Sequence, residues 1–179
     1  TQLSTHPADL FFSTPGVGPA IWLALKIGLI ASLLSLLCCF VILTGLIHTS
    51  GFALLRRALA ALVAVPHSAM AIGLVFLLAP SGWLIRILSP AITGFDRPPD
   101  WNLFPDPYGW GLILGLMAKE IPFLLMVSLA AMATLPARQL AQIGSSLGYG
   151  RLASWCVLIL PLIYRQIRLP MIAVLVFSL

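Results

Sequence analysis

The chain has 179 residues, 60% of them hydrophobic and 8% charged, with a formal net charge of +5 and a mean hydropathy of +1.06. Soluble domains carry about 25% charged residues, and a soluble core of this size could not hide so much apolar surface, so the composition excludes an ordinary soluble domain and makes the bilayer the solvent. In that setting the excess of basic residues reports which loops face the cytoplasm, and gives no reason to expect nucleic acid as a partner.

Residues 1–20 are mixed, with Asp9, Pro7, Pro15 and Pro19. They read as a loop or interfacial segment. Residues 21–47 form an apolar run long enough to span. Its one charge, Lys26, sits near Trp22, where the side chain can snorkel to water. Gly28, Ser32, Ser35 and Cys39 fall at helical spacing and make a small-residue face for another helix.

Residues 48–57, HTSGFALLRR, are a short polar break. The second apolar run is 58–79, with Pro66 and His67 inside it. The 80–107 loop follows, rich in proline and holding Trp83 and Trp101. Its three aspartates, Asp96, Asp100 and Asp106, oppose Arg86 and Arg97, a net charge of −1. Its opening, SGWLIRIL, has the pattern of a short interfacial helix.

The third span is 108–134, anchored by Tyr108 and Trp110. Residues 135–168 read as a second polar loop, although 155–164 is apolar. A fourth span starts near Leu169. It offers about 11 residues, which at ~1.5 Å each cover roughly half of a ~30 Å hydrocarbon core. With Thr1 in first place, the expectation is an internal fragment of a longer protein, with three spans and part of a fourth. The fold class expected is all-α, a polytopic transmembrane helix bundle.

Orientation follows from the basic residues. The 48–57 loop carries Arg56 and Arg57, and the 135–168 loop carries Arg138, Arg151, Arg165 and Arg168, with no acid in either. Both belong in the cytoplasm, the 80–107 loop and the N-terminal segment outside.

Lys119 and Glu120 lie about nine residues past Trp110, roughly 13 Å deep. A charge there costs several kcal/mol unless protein or water surrounds it. Gly111, Gly115 and Lys119 recur every fourth residue, so a close neighbouring helix should cover Lys119. The pair can line a pathway or form an interhelical ion pair, and Pro122 should bend the helix beside it. His67 near Pro66 is a proton relay or a histidine satisfied inside the bundle. Neither His6 nor His48 shares a ligand spacing with it. Cys38, Cys39 and Cys156 show no metal or redox pattern and read as packing residues. No Ser-His-Asp grouping, HExxH or phosphate-binding glycine loop is present. The residues therefore give no metal, no cofactor and no enzyme chemistry.

Residues 142–161, QIGSSLGYGRLASWCVLILP, carry a resemblance. Permease subunits of bacterial ATP-binding-cassette importers have a cytoplasmic loop reading E-A-A, three residues, glycine, nine residues, a branched aliphatic, one residue, then leucine–proline. With Gly148 on that glycine, Gln142, Ile143 and Gly144 take the E-A-A places and Leu160-Pro161 the terminal pair. The stretches KEIPFLLMVSLAAMATLPARQLAQIGSSLG and PHSAMAIGLVFLLAPSGWLIRILSP also resemble permeases grouped with iron(III) and thiamine importers, so the likeness covers most of 20–179. Gln142 replaces the acid, and Ile143 and Gly144 replace the alanines, which removes an ion pair to the ATPase from this site.

The resemblance implies a partial type I importer transmembrane domain in the bacterial inner membrane. It implies a coupling helix at 139–147 docked on a separate ATPase, Gly148 and Gly150 permitting the turn after it, a substrate-binding protein outside and a second permease half. Other classes stay open: an ion-coupled secondary carrier or channel using Lys119 and Glu120, and a membrane scaffold that transports nothing.

Overall fold

The computed structural model describes residues 14–46, 51–100, 106 and 108–179. Among them every regular element is helical. We number them α1 (Val17–Leu46), α2 (Gly51–Ala64), α3 (His67–Leu78), α4 (Trp83–Leu88), α5 (Trp110–Thr134), α6 (Ala137–Ser146) and α7 (Arg151–Ser178). Four segments are long and apolar enough to cross a membrane: Val17–Leu46, Ser68–Leu88, Trp110–Thr134 and Arg151–Ser178. The second is helical in two pieces, because the chain turns at residues 79–82 between α3 and α4.

Three helices, α1, α5 and α7, pack on one another, with α2 and α3 laid against α5. α1 and α5 run in the same direction: Ile27 packs with Ile113, and farther along Cys39 Sγ meets Ser128 Oγ at 3.6 Å. α7 runs the other way, with Trp155 beside Thr44 and Ser178 beside Gly28. One end of the bundle therefore gathers the end of α1, the end of α5, all of α6 and the start of α7.

The buried face of α1 consists of Ile27, Gly28, Ala31, Ser35, Cys39 and Leu43. Its opposite face carries Leu29, Leu33, Leu37 and Val41, all exposed. The outward face carries large apolar residues, whereas four of the six buried ones, Gly28, Ala31, Ser35 and Cys39, are small. That is the arrangement expected where the solvent is itself apolar and close approach, rather than escape from water, holds helices together. A Cβ on Gly28 would lie 2.6 Å from the Ser178 carbonyl oxygen, so α1 and α7 touch there backbone to backbone. On α7 the buried residues Ile159, Ile163, Ile167 and Val174 fall on one helical stripe.

Two sequence expectations change. The 58–79 run is not one continuous span: its helix breaks at Val65–Pro66, because proline has no N–H to give and clashes with the turn before it. The fourth span does not start near Leu169, and 135–168 is not one loop. After α6 the chain turns at residues 147–150 and is helical from Arg151 onward. Arg165, Gln166 and Arg168 lie on the exposed face of α7 while Ile163 and Ile167 are buried, so polar residues mark a helix side rather than a loop. The expected 48–57 break is helical from Gly51, where α2 begins, and its residues 48–50 lie outside the described residues, as do 1–13 and Trp101. Pro122 sits inside α5 without ending it, and SGWLIRIL does contain a helix, α4.

Candidate functional site

Two places in the bundle hold the residues singled out by the sequence. The first lies at mid-length of α5. Ending α2 at Ala64 leaves its last carbonyls without helical donors, and Pro66 removes the next N–H in line. Lys119 supplies the missing donors: its Nζ gives a hydrogen bond to Val63 O at 3.2 Å and another to Val65 O. A cation at the C-terminal end of a helix also meets the negative end of its dipole.

Glu120, the next residue, turns elsewhere. It is 7% exposed, and its Oε1 accepts from Ser178 Oγ on α7. Its Oε2 is buried with no partner. Ser178 lies within reach of Ser32 Oγ at 3.5 Å and of Val174 O at 2.9 Å, which ties α1, α5 and α7 at one level. Among the described residues Lys119 and Glu120 form no ion pair. They instead line a shared cleft of about 340 Å³ with Val63, Leu116, Phe123, Val174 and Phe177. So the two charges do join helices, each through hydrogen bonds to a different neighbour: α2 for Lys119 and α7 for Glu120.

The expected cover for Lys119 is present, but its reason is not. A Cβ on Gly115 would meet nothing within 4 Å, so no helix comes close there. The long lysine side chain spans the gap to α2. Sequence reasoning misses Ser178 because its run reads as the stub of a span. Its signal was a lone serine closing an apolar stretch. His67 opens α3, and its side chain lies outside the described residues.

The second place is the junction of α6 and α7. α6 is a ten-residue helix whose only buried residue is Gly144. A Cβ there would lie 2.2 Å from Ser154 Oγ and 2.7 Å from Ser154 Cβ, so only glycine fits against α7. Gln142 and Ile143 are exposed, Ile143 at 52%, and the carbonyl of Gln142 accepts from the Ser145 and Ser146 hydroxyls. Gly148 has φ +82°, a left-handed conformation that penalises any side chain, and open space around it. Gly150 has φ −65° and needs no such freedom. Ser154, missed in the sequence, is the contact that makes Gly144 obligatory.

α7 then contains a π turn at Trp155–Ile159, in which Leu160 N–H reaches back five residues to Trp155 O. Pro161 follows within the first two positions of the regular helix, where its missing N–H costs least. Gly144 and the start of α7 are thus brought together. Gln142, Ile143 and Gly148 stay on the surface, and Pro161 lies farther along α7.

Among the described residues no group of histidine, cysteine or carboxylate side chains is placed to hold a metal ion. Outside the spans, Asp106 accepts at 2.7 Å from the N–H groups of Tyr108, Gly109 and Gly111 at the head of α5. The Gly111 N–H foremost, then those of Tyr108, Gly109 and Trp110, holds its carboxyl below the ordinary carboxylate value.

The arrangement defines a helical bundle with four membrane-competent segments, a mainly apolar cleft holding Lys119 and Glu120 at mid-length of α5, and a short helix seated on α7 at one end. No family model, curated protein or solved structure matches the chain.

Proposed function

We propose that the chain is the membrane-spanning subunit of a binding-protein-dependent importer, driven by a separate ATPase of the ATP-binding-cassette type. One observation supports this most: α6. It is a short helix between two membrane-competent helices, seated on α7 by Gly144 and presenting Gln142, Ile143 and Leu147 outward. It coincides, within two residues at either end, with the 139–147 segment that the importer resemblance assigns to coupling. A helix so seated can pass a push from a soluble motor to α7, because the close contact leaves no slack between them. α6 and the start of α2, with Arg56 and Arg57, face the cytoplasm of a bacterial inner membrane in this reading. A binding protein delivers cargo on the other side, a second permease half completes the pathway, and two halves rocking about their interface give alternating access.

The test uses the protein isolated from its own membranes. It should bring along a subunit that hydrolyses ATP. Gly148→Val should insert in normal amount, since nothing lies within 4 Å of that glycine, yet lose the ATPase and import with it. Full ATPase recovery with import intact would overturn the reading. Single cysteines at Ser146 and Thr93, in a background without Cys38, Cys39 and Cys156, should label from opposite sides.

A second reading is favoured by Glu120, whose buried Oε2 lacks a partner beside the cleft. In it the chain is an ion-coupled carrier or channel. Uptake into vesicles free of any ATPase, driven by an imposed ion gradient and lost in Glu120→Gln, would select it.

A further inference from the structure

The cleft between α2, α5 and α7 holds two unmatched polar valences. Glu120 Oε2 is a buried acceptor with no donor. Lys119 has three N–H groups, and two of them go to Val63 O and Val65 O. The third is unassigned. Apart from Ser178, whose hydroxyl is taken by Glu120 Oε1, the remaining walls are apolar and aromatic, with Leu116, Phe123, Val174 and Phe177. The cleft, at about 340 Å³, falls within the size range of small-molecule sites.

The geometry points to a binding site for a small zwitterion with an apolar body, of the size and kind of a free apolar amino acid. Its ammonium group donates to the Glu120 carboxylate, a rotation of which turns the buried Oε2 toward the cleft, its carboxylate accepts from the third N–H of Lys119, and its side chain lies against Phe123 and Phe177. Charge balance selects this class. The protein supplies one group of each sign, so a zwitterion leaves the site neutral. A simple cation or anion would add an uncompensated charge where the dielectric is low. An uncharged apolar molecule would leave the Glu120 oxygen orphaned. The chemistry rests on the cleft alone and does not require α6 to engage an ATPase.

The experiment is ligand binding to the purified full chain in lipid nanodiscs, without ATP or any partner. The probes are L-alanine, L-leucine and L-phenylalanine, each with its amide, which lacks the anion, and its deaminated acid, which lacks the cation. At least one amino acid should bind and raise the melting temperature. Both of its single-charge analogues should bind about ten-fold more weakly or worse. Glu120→Gln should weaken the amino acid and its amide by about ten-fold while leaving the deaminated acid unchanged. The analogue series leaves the protein untouched, so it decides even if a variant misfolds. Absence of binding by all three amino acids at millimolar concentration overturns the proposal. So does a deaminated acid that binds as tightly as its parent. Failure here with ATPase recovery intact removes the ligand and leaves the importer reading standing. The reverse pattern does the opposite.

Discussion

The indole Nε1 of Trp155 donates to Thr44 Oγ1 at 3.0 Å, across 111 residues of sequence. Thr44 in turn donates to Phe40 O, four residues back along α1, at 2.7 Å. This two-step bond fixes the π turn of α7 to the end of α1, at the level where α6 seats. Trp155 is 2% exposed, so its N–H has no other outlet. The two ends of the bond are not equivalent. Trp155→Phe removes the donor but leaves Thr44 bonded to Phe40, and should cost about 1 kcal/mol beyond the lost ring area. Thr44→Val leaves a buried indole N–H orphaned and should cost about 1–3 kcal/mol. A double-mutant cycle on melting in detergent should give a coupling of about 1 kcal/mol. Independent, additive effects would show that the bond contributes nothing.

Gly144 and Gly148 are both conspicuous in the sequence, yet they are glycine for different reasons. Gly144→Ala places a methyl against Ser154, which is buried and cannot yield. Overpacking of this kind costs about 1–3 kcal/mol. Gly148→Ala meets nothing and strains only the backbone at φ +82°, worth about 1–2 kcal/mol. Gly144→Ala should therefore lower the melting temperature more. Adding Ser154→Gly should recover part of the loss at Gly144 and none at Gly148. Equal recovery at both positions would mean that the Gly144–Ser154 contact does not set the α6 position.

The buried face of α1 was legible because Gly28, Ser35 and Cys39 repeat at helical spacing, and small residues mark a helix interface in lipid. The left-handed turn at Gly148 was legible for a similar reason: a local backbone demand leaves a local residue. The start of α7 was not. Arg165, Gln166 and Arg168 made the stretch look like a loop, since a linear hydropathy reading cannot tell a polar helix face from a polar segment. Nor was the role of Lys119 legible. Its acceptors, Val63 and Val65, lie 56 and 54 residues away, and they become acceptors only because Pro66 breaks the helix after them. Within 142–161 the local element was legible as the end of a short helix closed by a glycine turn.

Asp106 should make stability depend on acid. Its folded-state carboxyl is held below the ordinary value by the Gly111 N–H and its neighbours. A depressed carboxylate stabilises the folded state above its unfolded value, about 3.9, and that contribution disappears as the pH falls through the folded value. Asp106→Asn should melt below wild type at neutral pH, with the gap closing below about pH 4. A gap of constant size across that range would assign the loss to helix geometry alone.

Ser35 is fully buried in α1 and its hydroxyl has no partner. A buried hydroxyl without a bond costs about 1–3 kcal/mol of desolvation. Ser35→Ala removes the orphan and leaves only the space of one oxygen, so it should raise the melting temperature or leave it unchanged. A clear loss of stability would reveal a bond from this hydroxyl, to a carbonyl of α1 or to a bound molecule.

Lys119 gives the sharpest separation between a structural role and the proposed transport. Lys119→Met keeps the length of the side chain and removes the donors. Val63 O and Val65 O then lose the donors that Lys119 gave them, and α2 loses the cation at its C-terminal end. Two charge-assisted bonds are lost together, each worth about 1.5–3 kcal/mol in water-referenced measurements, though transmembrane values run smaller, near 1 kcal/mol. The total expected is therefore about 2 kcal/mol. The loss should be local. Amide exchange should rise at the start of α3, where Met70 N–H bonds to Pro66 O at 3.0 Å, and stay unchanged along α1 and α7. Lys119→Arg keeps a cation with forked donors and should restore most of the protection. If Lys119→Met leaves exchange at the break unchanged while abolishing transport, the ammonium serves the cargo and not the helix end.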